Sequence, residues 1–197
     1  YRGRTSSALN TGQWYHVVAT YSGVGGTNAE NGIKIYINGA NVIGSTSTFG
    51  SYTAMSNTTA PVYIGRIGTS YSNGEISNAS IFSTELSSTQ VETLYNNGTP
   101  EASISLVVSD LQQTSGYSPY ALDFDGINDI LTIQNNSTFN LGTAFTISGW
   151  FNFSSNKYQG LISFDAPSGG SPRGWFLFQI SSSNDIRLFD GTTVFTL

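Results

Sequence analysis

An antiparallel all-β fold with one short helix is the class this sequence predicts, on three observations. Apolar and polar residues alternate with a period of two along most of the 197 residues, the pattern of strands with one buried face. Turn residues interrupt the alternation at short intervals, most sharply at Asn38-Gly39, where a two-residue hairpin needs positive φ at both positions. One segment departs from the alternation: between Ser87 and Asn96 the apolar residues Val91, Leu94 and Tyr95 fall three and four apart, which is helical spacing.

In chain order, Gln13 to Tyr21 alternates Trp14, His16, Val18 and Thr20 with Tyr15, Val17, Ala19 and Tyr21. Ile33 to Ile37 sets three isoleucines on one face, and Asn38-Gly39 returns the chain into Asn41-Val42-Ile43. Further strands are predicted at Val62–Ile67, Glu75–Phe82, Tyr120–Phe124, Ile130–Gln134, Phe145–Phe153, Leu161–Phe164, Trp175–Ile180 and Asp185–Asp190. The spacers Ser22–Gly32, Pro167–Gly170 and Ser181–Asn184 are turn-rich, as connections between strands should be. The helix has a cap at Ser87 and a capping-box partner at Gln90, each satisfying a backbone N–H that the first turn leaves free. Gly98 suits the left-handed position that ends it. Glu101–Ser118 shows no clear period and no aromatic before Tyr117, so it reads as a linker or edge segment.

The two ends have an unusual relation. Asp185 to Leu197 alternates and stops without turn chemistry, and Tyr1-Arg2-Gly3-Arg4 begins as abruptly. Written tail to head they make one ordinary β-domain, which predicts that Val194–Leu197 and the segment near Tyr1 adjoin. There is no initiator Met and no signal peptide, so a longer or processed natural polypeptide is expected.

Composition limits what the protein can be. Only 10% of residues are charged, yet 13% are aromatic, enough bulky apolar surface to offset chain entropy. Twelve acids stand against seven bases, with no basic run; nucleic acid, which needs a Lys/Arg footprint, is excluded as a partner. Cysteine is absent, which removes disulfides and thiolate metal sites and suits an extracellular bacterial or viral protein. No apolar run approaches the about 20 residues of a membrane-spanning helix, so membrane insertion is not expected.

The pieces resemble the laminin-G-like, concanavalin A-like lectin/glucanase superfamily. Tyr120-Ala121-Leu122-Asp123-Phe124-Asp125-Gly126-Ile127-Asn128-Asp129 resembles its opening strand and loop. Phe145-Thr146-Ile147-Ser148-Gly149-Trp150-Phe151 resembles its next core strand. Leu9–Tyr21, Ile33–Val42, Val62-Tyr63-Ile64-Gly65-Arg66 and Gly74–Leu86 resemble its second half in the usual order, and Ser87–Asn96 its closing turn. The resemblance implies a jelly-roll β-sandwich whose order is permuted about residues 196–4. Residues 1–100 are then the C-terminal half of a sandwich, 101–118 the linker or edge, and 119–197 the N-terminal half. Three arrangements produce that order. The chain is one permuted domain, or a window on a tandem array, or a subunit that exchanges strands with its neighbours. Closure as one domain over 1–197 is the expectation, because half-sandwiches leave wide apolar edges.

Chemistry concentrates in few places. Asp123, Asp125, Asn128 and Asp129 supply the hard oxygens that Ca²⁺ takes, and the resemblance implies calcium in this region of many members. The later strand, where acidic residues often stand in the family, reads Ile76-Ser77-Asn78-Ala79, which removes ligands. The competing reading is a plain turn closed by Asx hydrogen bonds. His16, the one histidine, lies mid-strand and reads as structural; no nucleophile-elbow motif accompanies it. Glycoside hydrolysis needs two suitably spaced carboxylates. Glu75, Glu85 and Glu92 read as capping or solvating, so no enzyme is expected. Sugar rings stack on aromatics while amides and carboxylates bond the hydroxyls. Tyr71, Asn73, Tyr158 and Trp175 are the candidates for that role, whereas Trp14 and Trp150 fall in core strands and read as structural. Six Asn-x-Ser/Thr sequons, at Asn57, Asn78, Asn97, Asn135, Asn136 and Asn152, are what chance supplies in a chain this rich in Asn, Ser and Thr.

The expected function is a non-catalytic carbohydrate-binding lectin or adhesion module of a secreted, cell-surface or virion-surface protein. Its partner would be a glycan or cell-surface polysaccharide, with calcium supporting a loop. One alternative is a purely structural module that packs with copies of itself or with assembly partner chains, such as a tail fibre or capsid decoration. Another is an ancillary domain of a glycoside hydrolase.

Overall fold

Strand alternation sorts the side chains into two faces, and burial of one face of each sheet against the other makes the core. The computed structural model describes residues 2–47, 61–98, 121–134, 143–164, 176–180 and 185–189. Its strands are β1 Arg2–Thr5, β2 Trp14–Tyr21, β3 Ile33–Ile37, β4 Ala40–Asn41, β5 Ile43–Ser47, β6 Val62–Ile64, β7 Arg66–Ile67, β8 Ser70–Tyr71 and β9 Asn73–Phe82. The helix α1, Ser88–Tyr95, follows. After it come β10 Leu122–Asp125, β11 Leu131–Ile133, β12 Phe145–Phe153, β13 Gln159–Phe164, β14 Phe176–Ile180 and β15 Asp185–Phe189.

The strands form a seven-stranded sheet, β11-β6-β13-β14-β15-β1-β5, and a six-stranded sheet, β10-β9-β12-β2-β3-β4. All pairings are antiparallel. The fold is therefore an all-β sandwich with one short helix. Val17, Ala19, Ile35, Phe145, Ile147, Phe151, Leu161, Ile162 and Ile186 are wholly buried or nearly so and meet between the sheets. Each of these side chains larger than alanine contributes about 1.5–3 kcal/mol relative to an exposed position.

Strands from both ends of the chain alternate within each sheet. β12 lies between β9 and β2, and β15 pairs with β1 through Arg2↔Phe189, Gly3↔Leu188 and Arg4↔Arg187. Buried Asp185 accepts from Arg4 Nε at 2.7 Å and Arg187 Nε at 2.8 Å, so one carboxylate holds β1 and β15 together. Neither half of the chain has a sheet to itself. Tyr1 and Val194–Leu197, whose adjacency the alternation predicts, lie outside the described residues, as do Trp175, the segment 101–118 and the spacers 167–170 and 181–184.

Local chemistry accounts for the details. Asn38 and Gly39 adopt φ of 51° and 79°, as the hairpin turn demands. The single strand predicted over Val62–Ile67 is broken at Gly65, which takes φ 83° with the Phe124 ring where a Cβ would stand. A short β7–β8 hairpin follows, with Arg66–Ile67 inside the predicted strand and Ser70–Tyr71 beyond it. In β9, two residues, Asn78 and Ala79, stand opposite Gly149, a bulge made possible by φ 52° at Asn78. The capping box forms: Gln90 N donates to Ser87 Oγ at 3.2 Å, and Ser87 N donates to Gln90 Oε1 at 2.8 Å. The left-handed cap is Asn96 rather than Gly98. Asparagine tolerates that conformation, and Gly98 takes positive φ two residues further on.

Helix α1 covers one end of the outer face of the six-stranded sheet. Val91 and Leu94 pack with Val18, Tyr36, Phe82 and Leu86 in a second apolar cluster. Buried Thr146 aims the approach: its Oγ1 donates to Thr84 O at 2.8 Å and accepts from Leu86 N at 2.9 Å.

Candidate functional site

Four strand ends meet at one end of the sandwich, and Asn73, the first residue of β9, joins them. Its backbone N–H donates to Gln159 Oε1 at 2.8 Å, and its side-chain Nδ2 donates to Asp125 O at 2.7 Å. Its carbonyl accepts from Ser154 N at 2.9 Å. Next to it, Ser72 N closes the β7–β8 hairpin on Gly65 O at 2.8 Å, and Ser72 Oγ donates to the Gly160 carbonyl. Gln159 is fully buried and donates from Nε2 to Ser155 O at 2.8 Å. The hairpin carrying Tyr71, the loop carrying Tyr158 and the loop after β10 are thus fastened to one another. The buried Gln159 amide has a partner for its oxygen and one for its nitrogen, which offsets the cost of burying it.

The structure brings three of the four carbohydrate candidates to this end. Tyr158 is 38% exposed, Tyr71 half-buried. Asn73 spends its side-chain N–H on Asp125 O, so its part is to organise the end. Trp175 lies outside the described residues. Between these segments runs a crevice lined by Ser72, Asn73, Asn152, Gln159 and Leu161, too tight to hold a water. A ligand here would lie on the surface rather than in a pocket.

The acidic stretch comes to the same end. Asp125 Oδ1 accepts from Ile127 N at 2.7 Å and Asn128 N at 3.3 Å, and Asp129 Oδ2 accepts from Asp125 N at 3.0 Å. Gly126, at φ 79°, makes the bend. These are the contacts of an Asx-type turn, in which carboxylate oxygens are spent on backbone N–H groups. Ca²⁺ takes six to eight oxygens. Among the described residues no group of three or more His, Cys, Asp or Glu side chains converges to hold a metal ion. The donor set as it stands fits a turn better than a cation cage.

His16 sits away from that end, beneath α1. It is 2% exposed, its Nε2 is 3.0 Å from Ser148 Oγ, and its ring lies 5.1 Å from Trp150 and 6.0 Å from Tyr95. Burial pushes its pKa down to about 4, because a charged ring would lose its hydration. Nδ1 is buried with no hydrogen-bond partner. Ser148 Oγ is the hydrogen-bond partner of the ring and the aromatic rings pack beside it; this is a packed, neutral imidazole.

One residue reads differently in three dimensions. Trp14 opens β2 on the outer face and is 39% exposed, while Trp150 is 7% exposed under α1. The alternation already sets Trp14 opposite the buried Val17, Ala19 and Tyr21. Its place beside the Thr11-Gly12 turn was the signal that it could be uncovered.

The two antiparallel sheets packed face to face define the class: an all-β sandwich. Residues 1–92 match the laminin G model described as the concanavalin A-like lectin/glucanases superfamily. The match makes that segment similar to the superfamily, and the described residues form an all-β sandwich. Among curated proteins and among solved structures, none matches the chain. No helix among the described residues is long and apolar enough to cross a membrane.

Proposed function

We propose that this chain is a non-catalytic carbohydrate-binding module of a secreted or surface-exposed protein, closing as one permuted domain. The observation that carries it is the junction at Asn73. Loops from four strands are fastened there with Tyr71 and Tyr158 at the surface, which suits a shallow sugar site of stacked rings and hydrogen bonds. The superfamily match over residues 1–92 supports the same reading. The interleaved sheets and the Asp185 clamp support closure within one chain.

The test is a glycan array probed with the chain and with Tyr71→Ala and Tyr158→Ala, with calcium and with chelator. Binding to a glycan that either variant weakens supports the proposal; silence across the array in both conditions sinks it. The turn's own hydrogen bonds argue against calcium at the 125–129 loop, and a melting temperature higher with calcium than with chelator would reverse that reading. Release of reducing sugar from β-glucans, lost in Glu75→Gln, would replace the non-catalytic reading with an enzymatic one. Sedimentation over a range of concentrations separates closure in one chain from strand exchange, because exchanged strands would require a dimer or larger species.

A further inference from the structure

Register across the six-stranded sheet lines up four side chains that are scattered in sequence. Asp123 pairs with Glu75, Glu75 with Asn152, and Asn152 with Trp14, so one transverse row runs β10-β9-β12-β2. All four are on the outer face. Their chain neighbours Phe124, Ile76, Phe151, Phe153 and Tyr15 belong to the core or pack against it on the other side. Asn152 Nδ2 donates to Glu75 Oε2 at 3.1 Å, which confirms that the two side chains share this face. Gly74, at φ 142°, allows the approach, since a Cβ there would meet the Asn152 carbonyl.

Three interstrand spacings make this row about 14 Å long, the scale of an oligosaccharide rather than a single ring. It has an exposed indole at one end and an amide and two carboxylates along the rest. One step toward the helix, the row His16–Trp150–Ser77 is closed by Tyr95, whose ring stacks with Trp150 at 5.8 Å. Helix α1 therefore stops short and forms a wall, leaving a shelf open toward the strand ends.

We propose that this shelf is a binding site for neutral glycans, with Trp14 as the stacking platform, Glu75 and Asp123 as hydrogen-bonding partners of the hydroxyls, and half-buried Asn152 holding Glu75 in place through its Nδ2. The inference rests on the carbohydrate-binding reading above and names the surface and the ligand class. An aromatic face meets the C–H side of a sugar ring, and the row's carboxylates accept along its edge. Two carboxylates without a basic partner in the row repel sulfated or carboxylated sugars, so the site selects against anionic glycans.

The test measures binding of the chain to laminarin and soluble mannan, both neutral, and to heparin, which is polyanionic, by calorimetry. At least one neutral glycan should bind and heparin should not. Trp14→Ala should weaken the neutral glycan at least about tenfold, or about 1.4 kcal/mol; Trp14→Phe, which keeps a flat ring, should lose less. Glu75→Gln should reduce the margin between neutral glycan and heparin. Far-ultraviolet dichroism of each variant checks that the sandwich is intact. Unchanged affinity in Trp14→Ala, with loss in Tyr71→Ala or Tyr158→Ala, overturns the shelf while leaving the carbohydrate-binding proposal standing. Preference for heparin also overturns it, and binding to none of the three overturns both proposals.

Discussion

The outer face of the six-stranded sheet is two surfaces. Under α1 it is dry: Val18, Tyr36 and Phe82 are sealed by Val91 and Leu94, and His16 is packed among rings. Beyond Tyr95 the same strands carry exposed Trp14 and Asp123 and, between them, half-buried Asn152 and Glu75. The backbone is continuous and the alternation does not change. What differs is whether a helix of eight residues reaches that far. Covered, the face works as a second core; uncovered, it is available for recognition. Substitutions should therefore affect stability under the helix and leave it nearly unchanged on the shelf.

The largest expected effect breaks the covered part. Phe82→Ala should cost about 3–5 kcal/mol in chemical denaturation, through lost burial and a cavity under α1. A loss below 1 kcal/mol would mean that the helix does not seal this face.

Acid should act on the same region. His16 titrates at about 4 in the folded chain and near 6.5 unfolded, so the unfolded state binds more protons between those values. Stability from neutral His16 is complete above pH 6.5 and declines as pH falls toward 4, by about 3 kcal/mol in all. Denaturation curves of the wild type and His16→Gln at pH 7.5 and 4 isolate this part, because other groups titrate in both. Equal pH dependence in the two proteins would show that the imidazole is hydrated in the fold.

A smaller effect sharpens the helix's part. Ser87→Ala removes the capping-box acceptor and should cost about 1 kcal/mol, with the melting temperature as readout. At the other extreme, Trp14→Ala should change stability by no more than about 0.5 kcal/mol, as for a surface position. A large destabilisation there would mean that Trp14 is packed, and the contrast between the two surfaces would fail.

Much of the architecture was legible in the residues. Strand alternation, the Asn38-Gly39 hairpin and the Ser87–Gln90 capping box depend on neighbours close in sequence, and all three appear as predicted. The break at Gly65 and the bulge at Asn78 were not legible, because each answers a remote partner: the Phe124 ring and Gly149 of β12. The site was legible in parts. Tyr71 and Tyr158 were among the carbohydrate candidates and come to one end. Trp14 was assigned to the core because its strand is a core strand, and the role of Asn73 as a junction depends on contacts with residues more than 50 positions away.

By itself the sequence determined which segments are strands, which face of each is apolar, and where the single helix begins. These follow from short-range sterics, turn chemistry and the period of two. Only the tertiary structure decided that β12 lies between β9 and β2, that β15 joins β1, and how far α1 reaches across the sheet. Register between distant strands is set by the packing of whole faces, and the row from Trp14 to Asp123 exists only once that register is formed.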